Sequence, residues 1–430
     1  MKVAFLTLGC KVNQYETNGM IQKFKKAGFE ICDFDKKADI YVVNTCTVTN
    51  MSDRKSRQML RQAKKNNKDA LVVACGCYVQ VAKNEVEKIP EIDLCIGTNE
   101  KVNIIEIVQD YLKNNNKLDV IEDVFAPSAK YGDYGVVTYT EKTRAVIKVQ
   151  DGCDRFCSYC IIPYARGKVR SREPESVIEE IKEIANNGIK EVVITGIHVA
   201  SYGKDFKNDY KLIDLLEEIN KIDGIKRIRL GSIEPLLITD DFLSRLAKLE
   251  KICHHFHLSL QSGCTETLRR MNRRYTIPEF ESIVKKLRDV YEDVILTTDI
   301  IVGFPGETDE EFNTTYNFLK NIKFYKMHIF KYSPRKGTKA EVMENQVPGE
   351  IKELRSKILL KLSDDNEKEY LKSYVGKNLE VLFEEREGEY FKGHTGNYIM
   401  VKAKTNEDLS NEIKKIKILG TTDLFLFSEM

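Results

Sequence analysis

The sequence predicts an α/β protein of several domains, with a parallel-sheet domain first, a partial TIM-like (β/α)6 barrel next and a small all-β barrel last. Over most of the chain, short apolar runs alternate with helical patterns, which is typical of parallel sheets covered by helices. After residue 370, short strands follow one another with turn signals between them. At 430 residues the chain is too long for one core, so we expect two to four domains.

The first predicted domain covers residues 1–112. The runs VAFLTLG, DIYVVNTC, ALVVACGC and DLCIG predict strands, and the segments between them have the spacing of helices. The first helix ends at Gly28, and Ser52 or Asp53 is the expected N-cap of the second. Residues 113–140 lack clear periodicity and predict a linker.

The second predicted domain covers residues 141–370. Its strands are RAVIKVQ, KEVVITG, IKRIRLGS, HHFHLSL, VILTTDIIVGF and YKMHIFKYS, and helical segments lie between them. Six such units predict a partial barrel whose active face lies at the carboxyl ends of the strands. Residues 371–430 predict the all-β barrel, from NLEVLFEE to LFLFSE.

Three cysteines with the spacing C-x3-C-x2-C directly follow the first barrel strand. Cys153, Cys157 and Cys160 lie in DGCDRFCSYCIIPYARG. Three thiolates can hold three irons of a four-iron, four-sulfur cluster, which leaves the fourth iron open to another ligand. Zinc would need a fourth ligand nearby, and the next candidate, His198, is far along the chain. Disulfides would need an oxidising compartment, which the N-terminal sequence does not predict.

A second set of cysteines is predicted from topology alone. Cys10, Cys46 and Cys77 each end a predicted strand, and the carboxyl ends of parallel strands meet at one edge of the sheet. We therefore expect a second three-thiolate site there. Buried cysteines acting as small hydrophobic residues are the alternative. Cys75 is a rival ligand, and we prefer Cys77 because it lies nearer the loop.

Composition narrows the class of protein. Hydrophobic residues make up 42% and charged residues 31%, as in soluble globular proteins. No apolar run reaches the length of a membrane span, and no secretory signal is recognisable, so we expect a cytoplasmic protein without a membrane partner. Eleven cysteines then indicate a reducing compartment.

The overall charge is nearly balanced, with a net of +2, but basic residues cluster locally. Residues 51–68 carry seven basic residues and one acidic residue, and residues 142–174 carry eight and three. LRRMNRRY adds four arginines. Such runs are often solvated faces. Three of them near the predicted chemistry favour a polyanionic substrate. Residues 371–430 carry nine basic and ten acidic residues, so the C-terminal barrel has no overall positive charge with which to bind RNA phosphates.

Motifs along nearly the whole chain resemble the radical S-adenosylmethionine (SAM) methylthiotransferases. LGCKVNQYET, NTCTVT and GCYVQ match the N-terminal cluster domain, and DGCDRFCSYCIIPYARGKVRSR matches the radical SAM loop. GSIEP, LSLQSG, LRRMNRRY and IVGFPGET are further landmarks, and the C-terminal barrel corresponds to a TRAM domain. Within the family, LGCKVNQYE and CIIPYARG look most like the MtaB-type branch, which modifies N6-threonylcarbamoyladenosine next to the anticodon of tRNA.

The resemblance implies two 4Fe-4S clusters, one on each cysteine set, and SAM used twice. One SAM donates a methyl group to sulfur at the N-terminal cluster, and another gives the radical that takes the hydrogen from carbon 2 of the adenine, which then receives the methylthio group. No catalytic residue beyond the cluster ligands is implied. The expected partners are tRNA, an electron donor of flavodoxin or ferredoxin type and a sulfur source.

Candidate SAM contacts are chosen from the cysteine loop and the barrel rim, and each could equally have a structural role. Candidate RNA contacts are chosen from the three basic runs. The candidate SAM contacts are Tyr159, Thr195, Gly196, Ser232, Glu234, Gln261 and Gly303. The candidate RNA contacts are Arg54, Lys55, Arg57, Arg166, Arg170, Arg269, Arg270, Arg273 and Arg274.

Two alternatives remain open. The methylthio acceptor could be isopentenyladenosine in tRNA or an aspartate of a ribosomal protein, as in the sister branches. The protein could also be a non-catalytic RNA-binding protein whose clusters are structural. Structural clusters usually take four protein ligands, so two sets of three favour an enzyme.

Overall fold

The computed structural model describes residues 1–114, 120–139 and 143–429. The N-terminal domain is a five-stranded, fully parallel sheet in the order β2-β1-β3-β4-β5. The two middle strands, β3 and β4, are buried along their whole length, as their apolar sequences predict. Its strands are β1 (Lys2–Thr7), β2 (Glu30–Cys32), β3 (Ile40–Thr45), β4 (Leu71–Gly76) and β5 (Leu94–Ile96). Its helices are α1 (Lys11–Lys26), α2 (Asn50–Asn66), α3 (Cys77–Val81), α4 (Lys83–Val86) and α5 (Ile104–Asn114).

The start of α2 corrects one expectation. The helix begins at Asn50, and its N-cap is Thr49 rather than Ser52 or Asp53. The Thr49 hydroxyl accepts a hydrogen bond from the backbone N–H of Ser52, which satisfies one of the free donors of the first turn.

The segment between the first two domains is packed on the first. Residues 120–139 contain no helix, and Val120 forms a bridge with Ile96 at the edge of the sheet. Tyr134 and Val137 are buried in the core of the N-terminal domain. Of the predicted linker, residues 113–114 belong to α5, and residues 115–119 and 140 lie outside the described residues.

The central domain is the predicted partial barrel. All six predicted strands are present and parallel, in two four-stranded sheets ordered β7-β6-β8-β9 and β10-β11-β12-β13. A parallel bridge from Ile228 to Ile252 joins the sheets. Its strands are β6 (Arg144–Asp151), β7 (Arg170–Ser171), β8 (Glu191–Gly196), β9 (Arg227–Leu230), β10 (Ser232–Ile233), β11 (His255–Gln261), β12 (Ile295–Val302) and β13 (Lys326–Lys331). Its helices are α6 (Ile162–Arg166), α7 (Pro174–Asn186), α8 (Leu212–Asn220), α9 (Asp240–Leu246), α10 (Thr265–Arg270), α11 (Ile277–Val290), α12 (Asp309–Ile322) and α13 (Gly349–Ser373).

The C-terminal domain is a curled, mostly antiparallel sheet in the order β17-β14-β15-β16-β19-β18. The two edge strands, β17 and β18, are separated by only two residues of chain, so the sheet must curl until its edges approach each other. Its strands are β14 (Asn378–Glu387), β15 (Tyr390–Thr395), β16 (Met400–Lys404), β17 (Ile413–Lys417), β18 (Gly420–Thr421) and β19 (Leu426–Glu429).

The predicted fold class is thus confirmed in all three parts. The helix α1 lies between the N-terminal sheet and the barrel, where the Tyr15 hydroxyl donates to Glu180 at 2.9 Å. The barrel also contacts the C-terminal domain, where Arg227 donates to the carbonyl of His394 at 2.9 Å. Within the described residues, the chain has no helix with the length and apolar character needed to cross a lipid bilayer.

Candidate active site

The C-x3-C-x2-C loop leaves the carboxyl end of β6 and turns sharply at Gly152. Gly152 has φ +72°, and a Cβ there would lie 1.8 Å from the carbonyl oxygen of Lys168, so the position requires glycine. The backbone N–H of Cys160 donates to the carbonyl of Cys157 at 2.9 Å, which folds the loop back on itself. Burial raises the pKa of Cys153 to about 11 and of Cys160 to about 12.

The residues that follow α10 hold this loop in place. Ser158 donates its backbone N–H to the carbonyl of Met271 at 3.0 Å, and Asn272 donates to the carbonyl of Phe156 at 2.9 Å. Arg273 donates to Cys157 Sγ at 3.4 Å. This part of LRRMNRRY therefore supports the cysteine loop and places a positive charge beside it.

Cys10, Cys46 and Cys77 meet at the carboxyl edge of the N-terminal sheet. Gly9 has φ +101°, and a Cβ at that position would lie 2.8 Å from Cys46 Sγ, so the absence of a side chain lets the segments that follow β1 and β3 approach each other. Burial is the main cause that raises the pKa of Cys10 and of Cys46; the nearby Cys77 raises both further, and Cys10 also raises the pKa of Cys46.

Cys75 lies away from this group. Its side chain is fully buried in the apolar core, and its thiol contacts the carbonyl of Val43 at 3.6 Å. Burial raises the pKa of Cys75 to about 12. Residues two apart in a strand would share one face, but the chain leaves β4 at Gly76 (φ +98°), so Cys77 begins α3 at the edge of the sheet while Cys75 stays inside.

Arg166 connects the two cysteine sets. It ends α6, a helix of five residues and about 7.5 Å that begins two residues after Cys160. Its Nε donates to Cys77 Sγ at 3.3 Å, and its Nη2 donates to Asn13 at 2.6 Å. One guanidinium thus joins the loop of one cysteine set to a thiol of the other.

Arg166 also belongs to a buried network of charges. Glu16 of α1 accepts from Arg166 at 2.5 Å and from Lys148 at 2.8 Å, and it pairs with Lys101. Asp151 pairs with Lys148 at 2.5 Å and with Arg166 at 3.2 Å. Burial opposes the ionisation of Glu16, but Arg166, Lys101 and Lys148 together hold its pKa well below the usual range. Arg170 lies 4.0 Å from Asp151 as a fourth cation, so four cations and two carboxylates leave a net positive charge next to the thiols.

A carboxylate lies at the barrel rim between the third and fourth strands. Glu234 is buried, accepts a hydrogen bond from His198 and forms an ion pair with Arg155 at 2.8 Å. Burial opposes ionisation here as well. The hydrogen bond from His198 and the charges of Arg273 and Arg155 prevail and lower the pKa of Glu234 to about 2. It is therefore an anion that faces the barrel mouth at neutral pH.

Tyr159 lies in the cysteine loop, and the other predicted rim residues lie at or next to the ends of barrel strands. Tyr159 packs edge-on against Phe304, with ring centroids 6.3 Å apart. Thr195 is buried and Ser232 is exposed. Of the remaining three, a Cβ on Gly196 would lie 2.9 Å from the side chain of Gln150, and Gln261 (φ +71°) and Gly303 (φ +68°) have left-handed backbones.

The predicted RNA contacts fall into two groups. Four are exposed, and the other five are engaged in contacts within the protein. Arg54, Lys55, Arg269 and Arg274 are exposed. Arg57 pairs with Glu85, Arg270 pairs with Glu311, and Arg273 contacts the cysteine loop. Arg166 and Arg170 correct the expectation, since both are buried, Arg166 in the charge network and Arg170 against Asn99.

Sequence reasoning missed the buried network and His198. Glu16 lies in LGCKVNQYET and Asp151 in QDGC, so motif position was an available signal for both. Lys101 has no such signal, because its partner Glu16 lies 85 residues away along the chain. Lys148 is only three residues from Asp151, but its second partner, Glu16, lies 132 residues away. His198 was considered only as a possible zinc ligand.

The donor sets fit iron–sulfur clusters. None of the six cysteines in the two sets is used in a disulfide. Each set of three has a guanidinium that donates to a sulfur, Arg273 at Cys157 and Arg166 at Cys77. N–H donors to sulfur and nearby positive charge stabilise anionic thiolate-bound clusters.

Two known protein families match long stretches of the chain. Residues 147–319 match the Radical SAM superfamily, and residues 2–97 match Uncharacterized protein family UPF0004. The six cysteines of the two sets thus fall within these two matched regions.

Curated relatives extend over nearly the whole chain. Threonylcarbamoyladenosine tRNA methylthiotransferase MtaB of Bacillus subtilis is 44% identical, covering 97% of this chain and 93% of the relative. The protein of the same name from Aquifex aeolicus is 43% identical, covering 89% and 92%. The tRNA-2-methylthio-N(6)-dimethylallyladenosine synthase of Acetivibrio thermocellus is 34% identical, covering 87% and 79%.

Solved structures share the fold at low identity. The radical S-adenosylmethionine methyltransferase TsrM of Kitasatospora setae aligns with a TM-score of 0.58 and 17% identity, covering 76% of this chain and 72% of that one. The cobalamin-dependent S-adenosylmethionine radical enzyme OxsB gives 0.53 and 12%, covering 84% and 55%. With the fold and the curated relatives in agreement, the chain belongs to the radical SAM tRNA methylthiotransferases of the MtaB type.

Proposed function

We propose that this enzyme methylthiolates carbon 2 of N6-threonylcarbamoyladenosine next to the anticodon of tRNA. The observation that supports this proposal most directly is that Arg166, which follows the C-x3-C-x2-C loop, contacts Cys77 of the other cysteine set. A reaction that uses a methylthio donor and a radical source needs both beside the same carbon atom. The relatives named for threonylcarbamoyladenosine, at 44% and 43% identity, are also more similar than the dimethylallyladenosine enzyme at 34%.

In this proposal each cysteine set holds one 4Fe-4S cluster. Cys153, Cys157 and Cys160 hold the cluster that binds SAM, and Cys10, Cys46 and Cys77 hold the auxiliary cluster. When bound, the clusters and SAM supply the electron, the radical and the methyl group. Electrons come from a donor of flavodoxin or ferredoxin type, and the inserted sulfur comes from a separate source.

The chain's own residues bind and orient the reactants. The ionised Glu234 offers an acceptor for the amino group or ribose hydroxyls of SAM, while Thr195, Gly196, Ser232 and Gln261 contribute from neighbouring strand ends. Tyr159 and Gly303 border the adenine, where the Phe304 ring helps to exclude water. These assignments rest on position at the rim and on the family resemblance.

The tRNA is proposed to bind on the face that carries the exposed basic residues. Arg54 and Lys55 lie on α2, which begins four residues after Cys46. Phe156 and Tyr164, beside the C-x3-C-x2-C loop, are exposed and pack edge to face at 5.8 Å. Such aromatic rings can stack on the unpaired bases of an anticodon loop. Arg269 and Arg274 extend the positive field of this face.

The test uses anaerobically reconstituted enzyme with SAM, a reductant, sulfide as the sulfur source and two tRNA preparations, one bearing threonylcarbamoyladenosine and one bearing isopentenyladenosine. Digested tRNA is analysed by mass spectrometry for the methylthio adduct. We expect about eight irons per chain and an adduct on threonylcarbamoyladenosine alone. A Cys157→Ala variant, with the auxiliary set intact, is the control and should form no adduct.

Other outcomes distinguish the alternatives. An adduct on isopentenyladenosine, or none on either tRNA despite SAM cleavage, would replace the proposed acceptor, and a ribosomal protein substrate would be tried next. Full cellular function of Cys157→Ala would favour a non-catalytic RNA-binding protein. Four irons in well-reconstituted enzyme would contradict the auxiliary cluster.

A further inference from the structure

Two histidines and an aspartate project into the barrel from three adjacent strands. His257 lies on β11, Asp299 on β12 and His328 on β13. Asp299 pairs directly with His328 in the parallel register, and His257 pairs with Thr297, two residues before Asp299 on the same face. The alternate residues, such as Phe256 and Leu258, are fully buried in the core beneath the helices. The three side chains therefore share the inner face of the sheet.

The donor atoms of these side chains lie close together. His257 Nε2 is 3.1 Å from Asp299 Oδ2, and one donor atom from each of the three residues lies within 4.8 Å of the others. Ligands of a four-coordinate zinc ion, at about 2.0–2.1 Å from the metal, are separated by about 3.4 Å. The distance between His257 and Asp299 already fits this spacing. A small side-chain movement would bring a ring nitrogen of His328 to a similar distance.

Neighbouring hydroxyl and imidazole groups orient His257. Its Nδ1 is 3.0 Å from Thr297 Oγ1, and the same hydroxyl is 3.2 Å from His255 Nε2. The Thr297 hydroxyl can accept a hydrogen bond from Nδ1. In that tautomer the lone pair of Nε2 faces the Asp299 carboxylate and is available to a metal ion. A hydrogen bond from the other ring nitrogen is also the usual support of a metal-bound histidine.

The position is separate from both cysteine sets and open to solvent. His257 lies four residues before Gln261 and Asp299 four residues before Gly303, so the group is about 13 Å along the strands from the rim. His328 is exposed and Asp299 half-buried, which gives an ion a path inward. His255 beside them has a buried Nδ1 without a hydrogen-bond partner among the described residues.

We propose that His257, Asp299 and His328 bind one divalent transition-metal ion in the barrel lumen. Two imidazoles and one carboxylate are a ligand set typical of Zn²⁺ and Fe²⁺ sites with open positions. The three protein ligands leave at least one coordination position for water or another oxygen ligand. The ion is additional to the irons of the two cysteine sets.

The experiment titrates Zn²⁺ into the holoenzyme after both clusters have been assembled anaerobically and free iron removed. Zinc per chain is measured by mass spectrometry after desalting, while iron content and cluster absorbance are followed to show that zinc has not displaced iron. We expect about one zinc per chain. His257→Gln and Asp299→Asn should each weaken binding at least tenfold.

The matched control is the pair His254 and Asp293. His254 Nδ1 lies 2.7 Å from Asp293 Oδ1, but the pair is exposed and has no third ligand among the described residues. His254→Gln should therefore bind zinc as the unaltered enzyme does.

Two results would overturn the proposal: no zinc retained by the unaltered enzyme, or equal retention in His257→Gln. Either would make His257 and Asp299 a plain ion pair. If the variants do not fold, anomalous scattering from crystals of the zinc-loaded, unaltered enzyme decides the question. A zinc peak between the three residues supports the site, and peaks only elsewhere contradict it.

Discussion

At the scale of single residues, the choice of ligand on β4 depends on which way two neighbouring thiols point. Cys77 contacts Arg166 and lies near Cys10 and Cys46, whereas Cys75 is held in the apolar core. Cys77→Ala should therefore halve the iron bound after reconstitution. Cys75→Ala should keep the iron and lose about 1 kcal/mol of stability from a small cavity.

The measurement is iron per chain, together with urea unfolding of each variant. Both variants remove one sulfur from the same strand end, so each serves as the control for the other. Loss of iron in Cys75→Ala, with Cys77→Ala unaffected, would exchange the roles of the two cysteines.

The Arg166 guanidinium is the second residue on which the site depends. Arg166→Met leaves Glu16 and Asp151 with fewer cations in a buried place, and removing one partner of such a network costs about 3–5 kcal/mol. It also removes the N–H donor to Cys77 Sγ, so auxiliary iron should be lost faster to a chelator. Urea unfolding and iron-release rates test both parts.

Arg166→Lys separates charge from geometry. Lysine keeps the positive charge but cannot reach Glu16, Asn13 and Cys77 together. We expect most of the stability to return while iron release stays fast. If iron release in both variants equals that of the unaltered enzyme, Arg166 is a structural residue alone.

Glu234 gives a prediction about pH. Its pKa in the folded protein is about 2, below the ordinary value of about 4.3, so its ionised form stabilises the fold. That contribution, about 3 kcal/mol, is fully present above pH 4.3 and is lost as the pH falls toward 2. Glu234→Gln should therefore be less stable than the unaltered protein at pH 7, and the difference should shrink below about pH 4.5. Urea unfolding from pH 3 to 8 measures it, and a difference that stays constant with pH would contradict it.

At the scale of elements, α2 is predicted to be a contact for tRNA. Arg54 and Lys55 are exposed, so replacing their side chains should leave the packing of the domain unchanged. The double variant Arg54→Ala/Lys55→Ala should raise the KM for tRNA about tenfold with little change in kcat. The logarithm of the tRNA binding constant should also fall less steeply with the logarithm of salt concentration, by an amount that corresponds to the loss of up to about two phosphate contacts.

A matched control for α2 lies on the outside of the barrel. Lys285 and Lys286 of α11 pair with Asp289 and Asp240, away from the strand ends. Lys285→Ala/Lys286→Ala should leave the KM unchanged. Equal effects of the two double variants would mean that only the net charge matters and that α2 makes no specific contact.

The elements themselves were largely predictable. Every predicted strand is present, because each is an apolar or alternating run of at least five residues between turn signals. The strands that were missed, β2, β7, β10 and β18, have only two or three residues, too few to show any period. Their positions are fixed by their neighbours in the sheet.

The candidate site was predictable where topology or spacing determined it. Strand ends in a parallel sheet bring Cys10, Cys46 and Cys77 together, so no local motif was needed. Arg166 was predicted as a surface residue because a run of basic residues does not reveal burial. Its partner Glu16 is 150 residues away, and that pairing exists only once two domains have packed.

At the scale of the whole molecule, the site depends on the docking of the N-terminal domain on the barrel. Arg335, in the loop after β13, is buried and donates to Thr47 at 2.7 Å and to Asp53 at 2.6 Å. It also donates to Asn50 at 2.6 Å. Because Thr47 directly follows Cys46, Arg335 holds the segment that carries Cys46 against the barrel.

Arg335→Ala should therefore disturb both domain docking and the auxiliary cysteines. It leaves Asp53 without its cation in a half-buried place where burial already raises its pKa, and we expect a loss of about 3 kcal/mol. Urea unfolding should become less cooperative, and auxiliary iron should be released faster to a chelator. Arg245→Ala is the control, since Arg245 pairs with Asp214 and Glu217 within the barrel alone. If Arg335→Ala releases iron no faster than Arg245→Ala, docking does not depend on this contact, and the buried network around Glu16 must hold the two cysteine sets together by itself.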